Sequence, residues 1–102
     1  MKIKTQDLTG AALDWAVAKA LNLDYYQPDY GPSEPEFSTD WAQGGPIIDR
    51  TGILFRGEAG DYTAWIVEPY AKVAGPTHLI AAMRCFVASE LGDEVEIPEE
   101  LA

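Results

Sequence analysis

Polar and apolar positions alternate over Lys2-Ile3-Lys4-Thr5, the period of a strand, and the lysines suit an edge that resists further pairing. The period then changes. Leu13, Ala16, Val17, Ala20 and Leu21 recur at helical spacing, while Asp14 and Lys19 fall off that stripe. Thr9 can cap, and five alanines between 11 and 20 favour the helix and allow close packing. The pattern predicts a helix over about 9–22. Residues 24–46 lose all period. Pro28, Pro32, Pro35 and Pro46 interrupt them, with Gly31, Gly44 and Gly45. Tyr25, Tyr26, Tyr30, Phe37 and Trp41 also fall there, which points to a compact loop packed by its own rings.

Strand signals follow. Pro46-Ile47-Ile48-Asp49 and Ile53-Leu54-Phe55-Arg56 flank Arg50-Thr51-Gly52 and read as a hairpin. Residues 57–60 form a second turn, and 61–67 (Asp-Tyr-Thr-Ala-Trp-Ile-Val) are rich in β-formers. Residues 68–76 lead into a second helix, for which Pro76 suits the first turn. Leu79, Ile80, Met83, Phe86, Val87 and Leu91 give its apolar face, and Gly92 is placed to end it. Residues 93–98 can add a brief strand. The predicted class is α+β: a small antiparallel sheet of three to five strands with two helices packed on one face. With 102 residues the chain is read as a single domain, 1–102, with a long loop at 24–46 and an acidic tail at 93–102.

Charge changes the picture of partners. Seven Lys and Arg against 17 Asp and Glu give a net charge of −10. That argues against binding a nucleic-acid backbone or an anionic membrane surface. Most of the acids lie in residues 24–40 and 90–100, where no Lys or Arg occurs. The rest of the chain is nearly neutral, so an anion site is still open. The acidic segments read as solubilising surface, or as a negative surface that mimics DNA or docks a basic partner. No apolar stretch approaches membrane-spanning length. Met1-Lys2-Ile3-Lys4-Thr5 is not followed by the apolar run of a signal peptide, so the expected location is cytoplasmic.

Common catalytic routes are thinly supplied. His78 and Cys85 are the only residues of their kinds. Seven positions apart on one helix, they lie about 10 Å from each other along the axis, too far for a nucleophile–base pair. One Cys and one His do not make a structural zinc site, and no calcium or dinucleotide-binding loop occurs. No metal, no cofactor and no catalytic residue is therefore assigned, and the expectation is a binding protein, not an enzyme.

One constellation stands out. Gly75, Pro76 and Thr77 open the second helix, where free N–H groups and the dipole favour anions. Arg84 follows two turns on. Trp41, Gln43, Gly44 and Gly45 have the residue types to hold a polar ring, with Trp41 stacking and Asp40 and Gln43 reading its edge. The same residues have a purely structural reading, in which Thr77 caps, the glycines turn and Trp41 fills the core.

These residues also carry a resemblance. Residues 8–18 (Leu-Thr-Gly-Ala-Ala-Leu-Asp-Trp-Ala-Val-Ala) are similar to the opening of the NinX family of small phage and prophage proteins of unknown function. So are 41–48 (Trp-Ala-Gln-Gly-Gly-Pro-Ile-Ile) and 75–85 (Gly-Pro-Thr-His-Leu-Ile-Ala-Ala-Met-Arg-Cys), continuing through 91–98. At His78 the resemblance leads to an expectation of Pro, and 50–74 is not distinctive. It implies a phage accessory protein of the bacterial cytoplasm, and brings no activity, cofactor or site residue with it. Such proteins as a class modulate host or phage machinery, some by binding a protein or a signalling nucleotide. The reading is thus a module that sequesters a small phosphorylated ligand, with an anti-defence role, at Trp41, Gln43, Gly44, Gly45, Gly75, Pro76, Thr77 and Arg84. The alternative is an acidic interaction module that modulates a host or phage protein. A homo-oligomer is expected, since so small a core gains from a partner's surface.

Overall fold

The computed structural model describes residues 1–22 and 35–101. In chain order its elements are β1 (Lys2–Lys4), α1 (Gly10–Ala20), α2 (Trp41–Thr51), β2 (Leu54–Glu58), β3 (Asp61–Ile66), β4 (Ala71–Gly75), α3 (His78–Leu91) and β5 (Glu94–Glu96). Short 3-10 turns span Thr5–Asp7 and Glu99–Leu101. The class is α+β, with five antiparallel strands among the described residues. They form two sheets, a β1–β5 ribbon and a β2–β3–β4 meander.

The organising element is α3. Leu79, Ala81, Ala82, Met83, Cys85, Phe86 and Val87 are buried, so the helix is apolar on nearly every side. A helix of that kind has neighbours all round. Strands β3 and β4 pack on one side of it, α1 on another and α2 on a third. Burial of each large side chain here contributes about 1.5–3 kcal/mol. The helix starts at Thr77, whose Oγ1 accepts the Ile80 amide at 3.0 Å, and stops at Gly92, whose φ is 91°.

α1 starts after Thr9, which takes the extended N-cap backbone but gives no side-chain cap. It packs chiefly on α3. Asp14, which the helical stripe assigned to the polar side, is buried at 6% exposure. Its Oδ1 accepts the Ser38 amide at 2.8 Å, which pins the 35–40 turn onto α1. The Ser38 hydroxyl is buried too and meets no partner in hydrogen-bond geometry among the described residues. It nevertheless lies close enough to help pull the Asp14 carboxyl down. Burial outweighs that pull and raises the Asp14 pKa above 3.8. A raised folded-state pKa stabilises the fold fully below about pH 3.8, and that contribution is lost as pH rises through the folded value. Asp14→Asn keeps an acceptor for Ser38 and removes the charge. Its urea midpoint relative to the unsubstituted protein is expected to improve between pH 4 and pH 7. A difference that stays constant over that range would show that Asp14 titrates normally.

The largest departure from the sequence reading is α2. Residues 46–49 are not a strand, and 50–52 are not a hairpin turn. Residues 46–51 belong to a helix that begins at Trp41, within the stretch read as loop. Asp40 caps it by accepting the Ala42 amide at 2.9 Å, and Gly52 ends it at φ 73° with its N–H on the Ile48 carbonyl. Pro46 deprives one turn of its hydrogen bond, but Pro46 and Ala42 are both exposed, so water can take the freed Ala42 carbonyl. The rest of the 24–46 expectation, residues 24–34, lies outside the described residues.

With 46–49 helical, the meander is made one strand later. β4 lies within 68–76, read from sequence as a lead-in only. In β3, Ala64 and Ile66 face α3, and the register sets Ala64 opposite Phe55 and Val73, and Ile66 opposite Ala71. The ends of the chain meet in the second sheet. Lys2 pairs with Glu96 and Lys4 with Glu94, while Ile3 and Val95 turn inward. The Met1 amine lies 2.9 Å from the Glu96 carboxylate and holds its pKa below the ordinary range. Part of the expected acidic tail is therefore paired strand.

Candidate functional site

Two helices begin beside one another. α2 opens at Asp40–Trp41 and α3 at Thr77–His78. The tip of the β2–β3 hairpin closes the third side. The resulting open cleft is about 470 Å³ and is bordered by Ser38, Thr39, Trp41, Tyr62, Thr77 and His78, among others. Trp41 is 52% exposed, so its ring is presented to this space and does not fill the core. The His78 ring lies against Tyr62, with centroids 3.8 Å apart, and against Phe55 at 4.8 Å. The first amides of α3 have no carbonyl four residues back within the helix, and such groups attract anions. Thr77 spends its hydroxyl oxygen on the Ile80 amide but retains its O–H as a donor.

Of the residues singled out from sequence, Trp41, Pro76 and Thr77 come together at this cleft. The others do not border it, and Gly75 and Arg84 instead share a second groove with Pro76. Gln43 is held from both sides: its Oε1 accepts the Glu36 amide at 2.8 Å, and its Nε2 donates to Asp40 at 3.1 Å. Gly44 makes no turn. A Cβ there would collide with the Phe37 carbonyl and Leu79, so glycine lets α2 close on α3 and on the 35–40 turn. Gly45 is a helix residue behind Trp41, with the Trp41 ring 3.9 Å from where its Cβ would be. Gly75 is buried against α3. Arg84 borders a different groove, of about 840 Å³, between the first 3-10 turn, β4 and α3. Its Nε donates to the Leu8 carbonyl at 2.7 Å and its Nη1 to the Ala74 carbonyl at 3.0 Å. Burial lowers its pKa, and Asp7 opposes that.

Sequence reasoning missed Tyr62, treated only as a β-former, and His78, weighed only against Cys85 as a catalytic or zinc-binding pair. Pro76–Thr77–His78 was itself the signal for His78, because the first helical residue shares the amides' direction. Among the described residues no Lys or Arg borders the cleft. An anion there would be held by amides, hydroxyls and the imidazole. Cys85 is buried, with its thiol donating to the Ala71 carbonyl at 3.5 Å and its pKa pushed up to about 11, so it is inert packing. Among the described residues no group of three or more His, Cys, Asp or Glu is placed to hold a metal ion.

Fold and cleft together define a small α+β protein with an open, ring-lined recess between two helix starts. The chain matches the family described as Bacteriophage P22, NinX over residues 4–90, and it belongs to that family of phage proteins. No curated protein matches it. No described helix is long and apolar enough to cross a membrane.

Proposed function

We propose that this protein acts by binding, and that it sequesters a small phosphorylated ligand, such as a signalling nucleotide, in the cleft between α2 and α3. One observation carries the reading. An exposed Trp41, the Tyr62–His78 ring pair and the Thr77 opening of α3 border the same recess of about 470 Å³. A ring can stack on Trp41 while its phosphate meets the α3 amides and the Thr77 hydroxyl. The volume falls within the usual range of small-ligand sites. An anti-defence role in the cytoplasm of the bacterial host is consistent with such a binder from a phage.

The test is native mass spectrometry of protein purified gently from bacteria, before and after denaturation. A stoichiometric small mass that leaves on denaturation is expected, and the same spectrum counts subunits and so tests the expected homo-oligomer. Trp41→Ala combined with Thr77→Val is expected to lose the bound mass while keeping the helical circular dichroism. A variant that holds the ligand as well as the unsubstituted protein would move the site elsewhere. The second reading, an acidic module docking a host or phage protein, is favoured by the exposed Asp93, Glu94, Glu96 and Glu99 at one end of the chain. Under it, partner binding weakens with salt and with reversal of those charges.

A further inference from the structure

The meander has a second face, and no described element packs on it. Side chains alternate across a strand, so with Ala64 and Ile66 turned to α3, Thr63 and Trp65 face away. The register places Leu54 and Lys72 beside Trp65, and Arg56 beside Thr63, on that outer face. Arg56, Thr63, Trp65, Tyr70 and Lys72 border a groove of about 500 Å³ there. Tyr70 is 71% exposed. In a chain with 17 acids, neither Arg56 nor Lys72 is ion-paired among the described residues.

Each side chain in this groove has a use toward one kind of molecule. Trp65 and Tyr70 offer ring faces for stacking. Arg56 and Lys72 stand on the two strands that flank Trp65 and can close on an anion from both sides. Thr63 adds a hydroxyl between them. A second copy of the chain packed symmetrically on this face would set like cations against each other, which disfavours it. A long polyanion would feel the chain's net charge of −10, whereas a single phosphate feels mainly the two local cations.

We propose that the outer face of the β2–β3–β4 sheet is a second ligand site, separate from the α2–α3 cleft, that takes a free planar ring bearing a phosphate group. Arg56 and Lys72 hold the phosphate and Trp65 and Tyr70 hold the ring. The chain contains three tryptophans, Trp15, Trp41 and Trp65, so three indole N–H signals report three places in a ¹⁵N-labelled sample. The full chain is titrated with adenosine monophosphate, 1-naphthyl phosphate, adenosine and a short oligoadenylate. Both ring phosphates are expected to move the Trp65 indole, with adenosine much weaker and Trp15 unmoved. Arg56→Gln with Lys72→Gln is expected to weaken the Trp65 response about tenfold or more. Raising salt on the unsubstituted protein is expected to weaken it too, which tests the same point without a substitution. A Trp65 indole unmoved by either ring phosphate at millimolar concentration overturns the site. So does a response that survives both the double substitution and high salt. Tighter binding of the oligoadenylate than of the monophosphate would overturn the free-ligand assignment in favour of a nucleic-acid strand. The Trp41 indole reports the α2–α3 cleft, so the two readings fail independently.

Discussion

Gly75→Ala is expected to cost about 3 kcal/mol of stability, the upper part of the range for forcing a methyl group into a packed interior. The added Cβ would sit 2.7 Å from the Ala81 nitrogen and 2.9 Å from its Cα. Both are backbone atoms, so no side-chain rotation relieves the clash, and α3 must lift from β4. Because α3 is the common support of the sheet and the other two helices, the whole core loosens. For a chain of this size the melting temperature should fall on the order of 15 °C. Gly45→Ala is the control. Its nearest neighbour is 3.9 Å away, and alanine suits a helix interior better than glycine. Thermal unfolding followed by circular dichroism reads both. An unshifted melting temperature for Gly75→Ala would disprove the close approach of β4 to α3.

The second large effect is expected at Arg84. Arg84→Met retains most of the apolar stem and removes both charge-assisted hydrogen bonds. These join the Leu8 carbonyl, before α1, and the Ala74 carbonyl, at the end of β4, to the middle of α3. One of the pair is partly shielded, and its loss leaves the Leu8 carbonyl short of a partner. The expected cost is about 2 kcal/mol. Arg84→Lys should recover little of it, because an ammonium group lacks the fork that reaches two carbonyls at once. Chemical denaturation measures the loss, and the Trp41 response to ligand in the folded variant should be unchanged. A variant with full stability and a lost Trp41 response would restore Arg84 to the ligand site.

How much of this was legible follows from the range of each signal. α3 was read nearly to the residue, because Pro76-Thr77 and Gly92 act within one turn of its ends. The β1–β5 ribbon was half visible, as two short strands with no statement that they pair. α2 was misread because Pro46 argues against a helix interior and the β-branched Ile47-Ile48 favour a strand. The opposing evidence was also present. Asp40 and Gln43 have the spacing of a capping box, Gly44, Ile47, Ile48 and Thr51 share one helical face, and Gly52 follows as a stop. The structure uses the Asp40 cap, the shared face and the Gly52 stop, while Gln43 turns its oxygen to the Glu36 amide and leaves the box unclosed. Asp14 was misplaced for another reason: a carboxylate off the apolar stripe is ordinarily solvated, and only the arrival of Ser38 from a distant turn gives it a partner.

The site divides the same way. Thr77 as a cap, Gly92 as a stop and the net charge are properties of a residue and its near neighbours. Hydrogen bonds and hydrophobic periods of a few residues determine them, so the sequence by itself carried them. That Trp41 meets Thr77 across 36 positions, that Arg84 is tied to carbonyls and turned away from both, and that Trp65 shares an outer face with Arg56 and Lys72 were decided only by the tertiary structure. Those facts depend on which helix a glycine lets through and on strand register. Contacts between distant segments set both, and each flips a side chain's surroundings without changing the residues beside it.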